Sequence, residues 1–162
     1  MKRIVFLWLS GFVLLATSCN KEKRYVYEVQ EQQLYQSAND KRNLKTTTQF
    51  ITIAYNDLFG SNITTAELNK LDVALQAVGD KSVVQDMIVK TFINRSGVQI
   101  VSNTVMRNDI PTFVQGCYLR FYNRQPTETE MWKMKNLIET NTDITAQQVY
   151  YSFMTSEEYK YY

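Results

Sequence analysis

The sequence of 162 residues contains no histidine, and that gap removes more chemistry than any motif present supplies. Histidine is the commonest general base, the commonest zinc ligand and the usual haem ligand. Serine triads, cysteine–histidine pairs and most metallohydrolase centres go with it. Carboxylate pairs remain formally open. The acids away from the chain ends include Asp57, Glu67, Asp72, Asp80, Asp86, Asp109, Glu128, Glu130 and Asp143, and most fall where helix starts or solvated faces want them. Glycine is scarce, five in the whole chain, and no Gly-rich loop is present to cradle a nucleotide phosphate. Eighteen basic residues stand against sixteen acidic ones, with no long block of one sign. The basic stripe of a nucleic-acid-binding surface is therefore missing. No enzyme activity, cofactor, metal or nucleic-acid partner is expected.

Long apolar runs are also lacking. The longest, Ile4 to Ala16, is interrupted by Ser10 and Gly11 and ends in Ala16-Thr17-Ser18. A membrane span needs about twenty apolar residues, so this run is too short to cross. Behind the positive head Met1-Lys2-Arg3 it has the layout of a secretory signal, expected to be removed as residues 1–18. One of only two cysteines, Cys19, follows at once.

Leu14-Leu15-Ala16-Thr17-Ser18-Cys19 resembles the lipobox of bacterial lipoproteins, with Ala16 where leucine is commonest. The resemblance implies a diacylglyceryl group on the Cys19 thiol, cleavage before it, and acylation of the freed amine. Each buried methylene contributes about 0.8 kcal/mol, so two or three chains anchor stably where one does not. Removing Lys2 and Arg3 leaves sixteen basic residues against sixteen acidic ones, an electrically balanced mature chain. Cys117 then has no partner, no disulfide framework exists, and stability must come from packing. Residues 19–45, rich in Lys, Glu, Gln, Asn and Arg, read as a lipidated cysteine and a polar tether, with one short helix near Glu28 to Ala38.

Beyond the tether the sequence repeats itself. FITIAYNDLFGSNITTAELNKLDVAL, from Phe50, matches FVQGCYLRFYNRQPTETEMWKMKNLI, from Phe113, at an offset of 63. The offset slips to 61 further on, where Ile88 meets Val149 and Phe92 meets Phe153. The predicted fold is all-α: two tandem three-helix repeats, about 46–95 and 110–162, joined by a connector at 96–109.

In each copy the first helix spaces apolar residues at i, i+4 and i+8, Phe50-Ala54-Leu58 and Phe113-Cys117-Phe121. It closes at Gly60 or Asn123, the residue types best able to take the left-handed conformation. The second helix opens on a capping box, Thr64-x-x-Glu67 or Thr127-x-x-Glu130. It is expected to bury Leu68, Leu71, Leu75 and Val78 in one copy and Met131, Met134 and Ile138 in the other. The third starts near Ser82-x-x-Gln85 or Thr145-x-x-Gln148, with Asp143 a rival cap, and buries Ile88 and Phe92 or Val149 and Phe153. In the connector a short helix along Val98, Val101 and Val105 is favoured over an extended path.

The turn Asn123-Arg124-Gln125-Pro126-Thr127, followed by Ser152-Phe153-Met154-Thr155-Ser156-Glu157-Glu158-Tyr159, resembles a small helical repeat domain of unknown function found in bacterial extracellular proteins and reminiscent of phycobilisome linker domains. Asn123 stands where that family usually has glycine. The resemblance implies an interaction or scaffold module without catalysis. The composition is similar to lipoproteins of the Bacteroidota, whose surface-exported members tend to carry acidic residues after the cysteine. Here Asn20-Lys21-Glu22-Lys23-Arg24 is mostly basic, which points to the periplasmic side of the outer membrane.

Cys117 aligns with Ala54 and reads as a small core residue, and the pair Met131 and Met134 as core filling. Trp132 stands where the first copy has polar Asn69, about 100° from the buried stripe. It is the leading candidate for contact with a partner. Tyr159, Tyr161 and Tyr162 are further candidates within a tyrosine-rich end that includes Tyr150 and Tyr151. The reading that follows is an outer-membrane lipoprotein, held by Cys19 and facing the periplasm, that serves as a non-catalytic subunit docking on an envelope protein. The alternative is a lipoprotein that binds glycan or peptide through exposed aromatics.

Overall fold

The computed structural model describes residues 43–161. The signal, Cys19, most of the tether and Tyr162 lie outside the described residues. What is described is all-α: seven α-helices and no strand, with a single isolated antiparallel bridge between Leu44 and Tyr161.

The helices begin where short polar side chains meet free backbone N–H groups. Helix α1, Thr47–Phe59, starts behind Thr46, whose hydroxyl and the Gln49 side chain form a reciprocal capping box, and ends on Gly60 in the left-handed conformation. Helix α2, Thr65–Ala77, starts behind Thr64. Helix α3, Lys81–Ile93, starts behind Asp80, and the short α4, Asn103–Asn108, behind Ser102. Helix α5, Ile110–Cys117, is capped by Asp109, carries Pro111 in its first turn and runs on into a π-helical turn, Tyr118–Tyr122. That turn closes on Asn123, the one non-glycine residue with positive φ among those described. Helix α6, Glu128–Thr140, and helix α7, Ala146–Met154, both open on complete capping boxes, Thr127/Glu130 and Thr145/Gln148. A 3-10 turn, Glu158–Lys160, follows.

Both ends of α1 recur 63 residues later, at Ile110 and Tyr122, and both ends of α2 recur at the same interval, at Glu128 and Thr140. The ends of α3 and α7 are 61 apart, Ile93 and Met154, but α3 is one turn longer at its start, 13 residues against 9. The expected start at Ser82-x-x-Gln85 is thus displaced. Asp80 accepts from the N–H groups of Ser82 and Val83, so Ser82 lies inside the helix it was expected to cap. In the other half Thr145 caps α7, and Asp143 does not.

Three further expectations change. At the Thr64 cap only half the box forms: Thr64 accepts from the Glu67 N–H at 3.3 Å, while the Glu67 carboxylate turns to Arg95. Val78 is exposed beyond the end of α2, and Leu68, Leu71, Met131 and Met134 are only partly buried, leaving Leu75 and Ile138 as the fully buried members. The connector is helical only over α4, which buries Met106 and exposes Val105. Val98 and Val101 pack on the core from a non-helical stretch held by Gln99, whose N–H donates to the Leu58 carbonyl at 2.7 Å.

Helix α1 packs on α2 and α3, α5 packs on α4 and α6, and α3 packs on α7. The buried side chains of both halves form one core. The stripes Phe50-Ala54-Leu58 and Phe113-Cys117-Phe121 are buried as their spacing predicts. The tether boundary moves: Lys45 is buried, its N–H donates to the Lys160 carbonyl at 2.8 Å, and its ammonium lies 3.8 Å above the Tyr159 ring. Residues 44 and 45 therefore belong to the folded body.

Candidate functional site

Trp132 is 65 % exposed on α6. At 100° per residue it shares its stripe with Glu128, Lys135, Asn136 and Glu139, all exposed, and Lys135 and Glu139 approach at 3.7 Å. A large indole therefore stands in a charged solvent face. Tyr159 lies elsewhere and is a correction: it is 0 % exposed, its ring meeting Phe50 and Phe121 edge-on and its hydroxyl donating to Asp57 at 2.6 Å. Burial takes it out of any surface platform. Tyr161 is half-buried and pairs with Leu44. Tyr150 is buried against Phe113 and Phe121. Cys117 is buried, and burial pushes its thiol up to about 12, which keeps it un-ionised at neutral pH.

The turn after the π segment is built around Arg124. Its guanidinium donates to Glu130 at 2.7 and 2.8 Å, to Glu158 at 2.6 and 2.7 Å, and to the Gln125 carbonyl at 3.1 Å. It also lies 5.0 Å from the Tyr118 ring centre. The fork geometry of arginine suits two carboxylates at once. The hydrogen bonds from Arg124 hold the Glu130 carboxyl down at about 2, and the Thr127 cap adds to the effect. Asn123, Arg124, Thr127, Glu130 and Glu158 thus form one lock that joins the start of α6 to the last turn of the described chain. The other half has Ser61 where Arg124 would fall, and supplies its cation to Glu67 from Arg95 instead. The sequence showed the motif residues, but not that the arginine joins its two parts.

Another polar cluster lies on the seam where α3 meets α7. Tyr151 donates its hydroxyl to Asp86, which also accepts from Lys90 at 2.7 Å. The bond from Lys90, with that from Tyr151, lowers the Asp86 carboxyl. The Lys90 ammonium lies 5.5 Å from the Tyr151 ring centre, and these two residues are 61 apart, counterparts of one another. A hollow of about 320 Å³ beside them is lined by Lys90, Ile93, Asn94, Thr145, Gln147, Gln148 and Tyr151. Another, of about 210 Å³, includes Asp86, Met154 and Thr155, which at the same interval are the counterparts of Gln147, Ile93 and Asn94. The two hollows thus share three pairs of positions at this interval.

Among the described residues no group of three or more His, Cys, Asp or Glu is arranged to hold a metal ion. No buried side-chain nitrogen or oxygen among them lacks a hydrogen-bond partner. No helix among them is long and apolar enough to cross a membrane. No protein-family model matches the chain, and no curated protein and no solved structure matches it.

Proposed function

We propose that the chain is a lipid-anchored outer-membrane protein, facing the periplasm, whose body consists of two tandem three-helix repeats and serves as a non-catalytic docking module for an envelope protein. Cys19 is the residue that carries the lipid in this reading, supported by the lipobox-like residues before it. The repeats are supported by the shared helix boundaries at intervals of 63 and 61 and by the paired hollows on the seam. The resemblance of the Asn123–Thr127 turn and the Ser152–Tyr159 segment to a helical scaffold domain points the same way.

The observation that carries the docking reading is Trp132. An indole left 65 % exposed on a charged face contributes little to the fold, whereas tryptophan is enriched among the residues that dominate binding energy. The partner surface that fits it is an apolar pocket rimmed by charges complementary to Glu128, Lys135 and Glu139.

A photo-crosslinking amino acid in place of Lys133, used in intact cells, identifies the contacting protein. Binding of that purified protein to the wild type and to Trp132→Ala then decides the matter. Trp132→Ala is expected to unfold at the wild-type temperature and to bind about 2 kcal/mol more weakly, the hot-spot scale. A large drop in melting temperature returns Trp132 to the fold, and unchanged affinity removes it from the interface.

A further inference from the structure

We propose that the larger hollow on the α3–α7 seam is a binding site for an uncharged carbohydrate, a role separate from docking through Trp132, which does not line it. Its volume, about 320 Å³, falls at the lower end of ligand-sized pockets, about 300–1,000 Å³. The chemistry of its walls selects the ligand class.

Charge is the first selector. The only ionisable group on the wall besides the Tyr151 phenol is Lys90, and its ammonium is already joined to Asp86 at 2.7 Å. The start of α7 opens into the same hollow, but three of its N–H groups are already bonded: the Thr145 hydroxyl accepts from the Gln148 N–H at 3.2 Å, the Gln148 side-chain carbonyl accepts from the Thr145 N–H at 2.9 Å, and the Asn103 side chain accepts from the Ala146 N–H at 2.8 Å. An anion therefore finds no uncommitted cation and a helix start most of whose N–H groups are engaged.

What the wall does offer is neutral hydrogen bonding. The Gln147 amide nitrogen donates to the Asn94 side-chain oxygen at 2.9 Å, which fixes its carbonyl oxygen as an acceptor for something else. The Gln148 carbonyl is engaged in the cap, which leaves its NH₂ as a donor. Beside this acceptor and donor lie the Ile93 side chain and part of the half-buried Tyr151 ring. Acceptors and donors next to an aromatic and an aliphatic surface match a pyranose, which carries hydroxyls around its rim and C–H bonds on its faces. The counterpart hollow is smaller and carries Asp86 and Lys160, so it serves as an internal comparison.

The test uses the full-length chain in detergent, labelled with nitrogen-15, titrated with the neutral disaccharide N,N′-diacetylchitobiose and, separately, with sodium sulfate. The expected result is saturable movement of the Asn94, Gln147 and Gln148 side-chain amide signals with the disaccharide and none with sulfate. Gln147→Ala removes one hydrogen bond from an exposed site and is expected to weaken binding about fivefold. Tyr151→Phe keeps the ring and is expected to bind within about twofold of wild type, since the phenol already serves Asp86. A folded protein whose amides do not move at millimolar disaccharide overturns the proposal. So does an equal response to sulfate, or movement centred on Trp132 instead.

Discussion

Tyr159 and Asp57 lie 102 residues apart and share one hydrogen bond of 2.6 Å, phenol to carboxylate, beneath the place where the chain joins the folded body. The same ring carries the Lys45 ammonium on its face, and the Tyr159 carbonyl accepts a hydrogen bond from it. Tyr159→Phe keeps the packing against Phe50 and Phe121 and loses the bond, and is expected to cost about 1–3 kcal/mol. Tyr159→Ala also empties the site and is expected to cost about 3–5 kcal/mol. Urea unfolding of the two variants checks the ranking; a wild-type midpoint for Tyr159→Phe refutes it.

The Arg124 lock makes a prediction with a sign. Glu130 titrates at about 2 in the folded chain against an ordinary 4.5, so its contribution is fully present above pH 4.5 and is lost as pH falls through 2. Arg124→Ala is expected to be less stable than wild type by about 2 kcal/mol at pH 7, with the gap narrowing between pH 4.5 and 2. Unfolding measured at pH 7 and at pH 3 for both chains decides it. A gap that stays constant with pH shows that the arginine acts by packing alone.

Cys117 is expected to resist alkylation in the native chain, even at pH 8, because burial holds its thiol at about 12. The same thiol reacts at once when the chain is unfolded. Iodoacetamide labelling followed by mass spectrometry, with and without denaturant, reads this directly, and rapid native labelling contradicts it.

Cys19→Ser is expected to abolish acylation and move the protein out of the detergent-extracted fraction. Intact mass of the mature wild-type chain provides the complementary reading. An unmodified N-terminus at another residue removes the anchor.

Local signals in the sequence were legible to the residue. Gly60 and Asn123 close their helices in the left-handed conformation, and Thr64, Thr127 and Thr145 cap theirs, because capping is decided within four residues of chain. Ser82 failed for a local reason as well: Asp80, two residues earlier, accepts from the Ser82 and Val83 N–H groups and starts the helix ahead of it. Val78 failed because apolar spacing says nothing of where a helix stops. What the sequence could not show is which faces meet. Tyr159 looks like its neighbours Tyr161 and Tyr162 in a string of tyrosines, and only the folded chain brings Phe50, Asp57 and Lys45 around it. Arg124 reads as one charge among many until Glu130 and Glu158 arrive on either side.

The meeting of Lys90 and Tyr151 has a consequence for how such a chain arises. Taken as copies of one ancestral unit, the two halves place these residues at a single position, and the packing of α3 on α7 brings its two occurrences together. Two separate identical chains associating the same way face each such position with itself, so a lysine there meets a lysine and repels it. Gene fusion lifts that restriction, because the two occurrences of the position then mutate independently. A cation against an aromatic ring, with one aspartate serving both, is a combination that a position facing its own copy cannot supply.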